Sequence, residues 1–210
     1  MLSLKDLGLI KSETTKVSKR FEELIPNIFD IQYSLPHEYI KICWKKFEDS
    51  NEEHDVNTNG KFFEICLATL FIRESLLPFY MQAKVAFVPG VDYDFIFYTS
   101  QRGPICVSAK TSLRERYKQA DLEGALLKNV HRRSKTYLIT LSDEFKNIKE
   151  KILHGDSIGL DDCIKATTDE FDKLIQELKN YTFLLAERVS IIESSIMITN
   201  DLIQKAKEHI

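Results

Sequence analysis

The sequence predicts an α/β domain built on a central mixed sheet flanked by helices, and three patterns carry that expectation. Short β-branched and aromatic runs alternate with tight-turn signals through the middle of the chain. A helical run then separates the third of these strands from a fourth, the arrangement that yields a parallel pair. Helical periodicity occupies both ends, leaving helices to cover the sheet.

From about Leu4 to Lys46, apolar positions such as Phe21, Leu24, Ile25 and Ile28 recur at three- and four-residue spacing, so this stretch reads as helical, interrupted at Pro26 and Pro36. The polar run EDSNEEHDVNTNG, 48–60, reads as a loop. A helix from Lys61 to about Leu77 is apolar on most sides, as a core-packed element must be, yet it contains Glu64, which sits either at a wet edge or in a functional role. Strands at Ala83–Val88 and Tyr93–Tyr98, joined at Pro89-Gly90, and a third at Ile105–Ala109 after a turn at Gln101–Pro104, make an antiparallel meander. A helix from about Arg114 to His131 leads to a strand at Tyr137–Leu141. Helices follow at Phe145–Leu153 and Asp169–Lys179, the second opened by a capping box, Thr167-x-x-Glu170. Short strands are expected near Cys163–Lys165 and Tyr181–Leu185, and a long amphipathic helix at Val189–Glu208. One domain is expected, with a helical flank and loop over 1–59, a core over 60–142 and C-terminal helices and short strands over 143–210.

At 210 residues, with 43% hydrophobic content, seven Gly and five Pro, the chain can bury one substantial core. Cys43, Cys66, Cys106 and Cys163 are far apart and mostly lie in apolar runs, the pattern of buried thiols in a reduced, cytoplasmic protein. No apolar run approaches the roughly 18 residues that span a bilayer, and Met1-Leu2-Ser3-Leu4-Lys5-Asp6 lacks the core of a signal peptide, so a soluble, unprocessed chain is expected. The net charge of −3 does not advertise nucleic acid. Between Arg114 and Lys135, however, seven basic residues stand against three acidic ones. His37, His54, His154 and His209 show no zinc-ligand spacing, and no glycine-rich phosphate loop or nucleophile elbow is present.

Candidate chemistry centres on the meander. Asp92 and Asp94, two apart at a strand start, point to one face, and Lys110 lies just beyond the end of the adjoining strand, so an aspartate and the lysine can converge. Converging carboxylates hold Mg²⁺, and a nearby ammonium can orient or deprotonate a water for attack on phosphorus.

The stretch SAKTSLRERYKQADLEG, 108–124, extends the pattern. Asp94, Ser108-x-Lys110, Arg114-Glu115-Arg116 and Glu123 together resemble the PD-(D/E)xK nuclease superfamily, over roughly Lys61 to Leu141. That superfamily carries Asp or Glu two residues before its lysine, where this chain has Ser108. The departure resembles the type II restriction endonuclease subgroup of EcoRII, PspGI and NgoMIV, in which a glutamate one helix later replaces the missing acid; Glu123, thirteen residues after Lys110, matches that offset. The resemblance implies that Asp94, Glu123 and Glu64 bind Mg²⁺ and that Lys110 serves the attacking water. Asp94 is preferred to Asp92 because it precedes the apolar run Phe95-Ile96-Phe97, with Asp92 kept as the alternative.

The same resemblance makes Arg114, Glu115 and Arg116 the DNA base readers. Arginine pairs with O6 and N7 of guanine and a carboxylate accepts from N4 of cytosine, so adjacent C and G pairs are the expected target. Lys118, Lys128, Arg132 and Arg133 either grip phosphates or form a solvated helix end. The expected protein is therefore a site-specific, Mg²⁺-dependent endodeoxyribonuclease acting on double-stranded DNA as a homodimer, with a cognate methyltransferase for the same site. The alternatives are one subunit of a heterodimeric enzyme and a sequence-specific DNA-binding protein without catalysis.

Overall fold

The computed structural model describes residues 3–10, 15–50 and 55–186. Helices α1 (Lys16–Leu24), α2 (Pro36–Glu48) and α3 (Val56–Arg73) lead into strands β1 (Tyr80–Ala83), β2 (Tyr93–Thr99) and β3 (Gly103–Lys110). Helix α4 (Arg116–Val130) crosses to β4 (Lys135–Thr140), α5 (Phe145–His154) to β5 (Asp162–Lys165), and α6 (Asp169–Lys179) follows. The sheet order is β1-β2-β3-β4-β5, antiparallel from β1 to β3 and parallel from β3 to β5. The result is the mixed α/β sheet that the strand, helix and strand pattern predicts.

Strand alternation divides the sheet into two faces. Phe95, Phe97, Ile105, Val107, Ala109, Tyr137, Ile139 and Ile164 join residues of α1, α2, α3 and α6 in the main core. Phe71 of α3 meets Phe95 and Phe97 edge-on, each at 5.2 Å between ring centres. Each fully buried phenyl contributes about 2–3 kcal/mol, which sets the position of α3 against the sheet. On the opposite face, Ile96, Cys106, Leu138 and Cys163 pack under α4 and α5. All four cysteines are free and buried. Among the described residues no helix is long and apolar enough to cross a membrane.

Several elements differ from the sequence expectation for identifiable reasons. The first strand lies at Tyr80–Ala83, upstream of 83–88, because its register with β2 runs from Tyr80↔Ile96 to Ala83↔Tyr93. Left-handed backbone at Phe87 (φ +65°) and Gly90 (φ +74°) turns 84–92 into a loop in place of a tight hairpin. Helix α3 starts five residues before Lys61, inside the expected loop, because Asp55 caps it by accepting from the Thr58 N–H. Pro36 opens α2 at its first turn, where a missing N–H costs nothing. At α6 the N-cap is Thr168, whose hydroxyl donates to the Lys165 carbonyl, so the expected capping box does not form. In place of a strand at 181–185 there is an isolated bridge between Thr99 and Phe183. The helix expected at 189–208 lies outside the described residues.

Helix α4 is seated by backbone contact. Asp121 Oδ1 accepts from Ser157 Oγ (2.6 Å), Gly159 N–H (2.7 Å) and Leu160 N–H (3.2 Å). Two glycines allow the approach: a Cβ on Gly159 would fall 1.7 Å from the Asp121 carbonyl oxygen, and one on Gly124 would fall 2.5 Å from the Gly159 oxygen. No side chain fits between these backbones, so Gly159→Ala must push α4 off its seat. A loss of about 2–3 kcal/mol or more in urea-unfolding stability is expected, whereas Gly60→Ala, where a Cβ meets open space on α3, should not destabilise.

Candidate active site

Asp94 is the second residue of β2 and is almost fully buried, on the sheet face that carries Ser108 and Lys110. Its Oδ2 accepts from the Ala109 N–H at 2.7 Å and from Lys110 Nζ at 2.9 Å. Both donors sit at the end of β3, so the carboxylate is fixed to the neighbouring strand by one main-chain and one charge-assisted bond. The two-residue ambiguity between Asp92 and Asp94 is thereby given a geometry: Asp92 is exposed and stands 3.7 Å from Lys84, away from Lys110's bond.

Glu64 reaches the same point from α3. Gln82 Nε2 donates to Glu64 Oε2 at 3.0 Å and to Asp94 Oδ1 at 3.4 Å, bridging the two carboxylates. Burial, with the charge of Asp94 adding to it, pushes the Glu64 carboxyl up to about 7, against a smaller opposing pull from Lys110. Sequence reading missed Gln82. It stands just before the strand expected at Ala83–Val88, so strand spacing offered it no face to share with Asp94.

Glu123 approaches from α4, on the other face of the sheet. Its carbonyl accepts from the Tyr93 hydroxyl at 3.0 Å, which ties this turn of helix to the start of β2. Its Oε1 accepts from Gln119 Nε2 at 2.8 Å, along the same helix. Burial raises its pKa, opposed by Gln119 and Lys110 and reinforced by Asp94 and Asp92. Ser108, two residues before Lys110 and on the same sheet face as Asp94, is 2% exposed.

Glu64 and Asp94, brought together at Gln82, are two oxygen-donor carboxylates with one ammonium, Lys110, beside them, so their negative charge is only partly compensated. Mg²⁺ typically takes one or two protein carboxylates and fills its shell with water, and Glu64 with Asp94 fit that demand. Among the described residues no group of three or more His, Cys, Asp or Glu stands close enough to hold a metal ion as they are placed. Glu123 is thus a neighbour of the Glu64 and Asp94 pair in this arrangement, its carboxylate engaged by Gln119.

The other expected DNA-contacting residues divide by their place along β3. Arg114, Glu115 and Arg116 are exposed at the same end of the strand as Lys110. The helix begins only at Arg116; Arg114 adopts left-handed backbone (φ +30°) and its N–H donates to Glu144 Oε2. Glu115 pairs with Lys118 on the surface. Lys128, Arg132 and Arg133 lie at the far end, because β4 runs parallel to β3 and starts opposite Ile105. Lys128 and Lys135 both bond Asp161, at 3.0 and 2.9 Å. Burial would raise Asp161, but Lys135, the Thr136 N–H and Lys128 outweigh it and hold the carboxyl below its ordinary value. Lys128 therefore ties α4 to β4.

No protein-family model, curated protein or solved structure matches this chain.

The raised Glu64 carboxyl has a consequence for stability. The fold favours its protonated form, so that contribution is fully present below about pH 4.5 and is lost as pH rises through about 7. In EDTA, wild-type melting temperature should fall more between about pH 5 and pH 8.5 than that of Glu64→Gln. Equal slopes in differential scanning fluorimetry would contradict the assignment.

Proposed function

We propose that this chain is a divalent-metal-dependent endonuclease of the PD-(D/E)xK type that cuts double-stranded DNA at a short specific site. The observation that carries the reading is the Asp94 and Lys110 bond at adjoining strand ends, with Glu64 arriving from one face of the sheet and Glu123 from the other. Asp94 and Glu64 would hold Mg²⁺, which when bound supplies positive charge to the phosphoryl oxygen and the leaving group. Lys110, kept at the strand end as an ammonium by Asp94, would orient a water for in-line attack on phosphorus, the water losing its proton to a phosphate oxygen or to solvent. Glu123 adds the negative charge that Ser108 does not provide.

Arg114, Glu115 and Arg116 stand exposed at the same end as Lys110, which suits readout of adjacent C and G pairs next to the cut. Glu115's partner Lys118 is an exposed surface lysine, an association easily exchanged for a base or phosphate. A palindromic target calls for two copies of the chain about a shared two-fold axis, and a methyltransferase modifying the same site. A binding-only reading draws on a separate observation, the serine at 108 together with the Glu123 carboxylate turned to Gln119.

Digestion of unmethylated phage DNA with Mg²⁺ separates these readings. Discrete fragments are expected from the wild type, with Lys110→Ala and Glu123→Ala each reducing cleavage by about 100-fold or more. Arg116→Ala should abolish a salt-sensitive gel shift on the cleaved site. A gel shift without cleavage at any Mg²⁺ concentration would leave binding alone, or a missing second subunit.

A further inference from the structure

The geometry points to Gln82 as a positioning residue that clamps the Glu64 and Asp94 carboxylates together and competes with a divalent cation for them. The inference rests on the nuclease reading for the cation, and on the two amide hydrogen bonds alone for the clamp.

Three observations support it. The first is the bridge itself, one amide nitrogen donating to Glu64 Oε2 at 3.0 Å and Asp94 Oδ1 at 3.4 Å. An amide NH₂ has two hydrogens, so it can serve two acceptors at once. The second is placement: the ladder pairs Met81↔Phe95 and Ala83↔Tyr93 flank Gln82, which puts it beside Asp94 on the adjoining strand. The third is backbone. Gln82 has φ +46°, a conformation that side chains other than glycine avoid and that persists only where surrounding contacts impose it. Here it interrupts the ladder of a four-residue strand and aims an otherwise exposed side chain at the two acids.

The electrostatics give the clamp its purpose. Asp94 Oδ2 is already occupied by Lys110 and the Ala109 N–H, so Oδ1 is the oxygen left facing Glu64. Two carboxylates brought together repel, and the charge of Asp94 is felt at Glu64. The partial positive charge of the amide hydrogens offsets part of that repulsion at the place where a cation would otherwise do so. A cation taking both oxygens must displace the amide. Losing the amide should therefore cost the metal-free protein more than the metal-bound one.

Gln82→Met keeps the side-chain length and removes the amide. In EDTA at about pH 8.5 its melting temperature should fall by about 2–4 °C, and the fall should shrink by half or more in a Glu64→Ala background. Calorimetric titration with Mn²⁺ alone, without DNA, should show about 3- to 10-fold tighter binding to Gln82→Met than to wild type. Unchanged or weaker Mn²⁺ binding, or a fall in melting temperature that is the same with and without Glu64, would overturn the inference. Asp94→Asn serves as the control, since it should abolish Mn²⁺ binding. If the wild type binds no Mn²⁺, the nuclease reading fails with the competition, and the EDTA comparison alone decides whether Gln82 clamps the acids.

Discussion

The carboxylate of Asp94 is the joint on which this arrangement turns. It leaves β2 at the first turn of the sheet's antiparallel half and is caught at the end of β3 by a main-chain N–H and an ammonium. Strand β3 is the one shared by both halves, antiparallel to β2 and parallel to β4. A one-residue slip of β2 against β3 would turn Asp94 to the opposite face and send Phe95 and Phe97 out of the core. Core packing and site geometry therefore depend on the same register. The apolar side, where Phe71 meets Phe95 and Phe97 edge-on, favours that register.

Helix α4 bears the same relation to Glu123. Its place is set by contacts with little room for adjustment, the Asp121 carboxylate on three donors of 157–160 and the glycine pair that lets two backbones meet. The Tyr93 hydroxyl then ties the Glu123 carbonyl to the strand that carries Asp94. An acidic side chain on a helix and one on a strand are thus brought to a common neighbourhood by packing elsewhere. The lysines bonded to Asp161 fasten the other end of the helix.

Negative charge held without full compensation costs stability. Glu64 and Glu123 both have raised pKa values from burial, and Asp94 worsens both. A fold selected for stability alone would replace Glu64 by an apolar residue, as its neighbours Phe62, Phe63 and Ile65 are apolar. Retention of two such acids beside a lysine-bound aspartate is what makes the cluster a site candidate. The strained Gln82 belongs to the same account, since local strain persists where a cluster of contacts imposes it.

By itself the sequence determined the layer pattern. Period-two apolar runs placed β2, β3 and β4, period-three-and-four runs placed α5 and α6, and the single crossover between β3 and β4 implied their parallel pairing. Strand spacing also singled out Asp94 and Lys110, and the apolar surroundings of its helix singled out Glu64, while Glu123 was picked out only by the resemblance to the nucleases. What only tertiary structure decided are the features set by partners far away in the chain. Gln82 gains its meaning from Glu64 on α3, eighteen residues earlier, and Asp121 from a loop more than thirty residues later. The separation of Arg132 and Arg133 from Lys110 follows from the parallel direction of β4, which returns the chain to the far end of the sheet. Local periodicity carries no information on which distant backbone will lie against a given residue, so close approach at Gly124 and Gly159 and backbone strain at Gln82 appear only once the chain is packed.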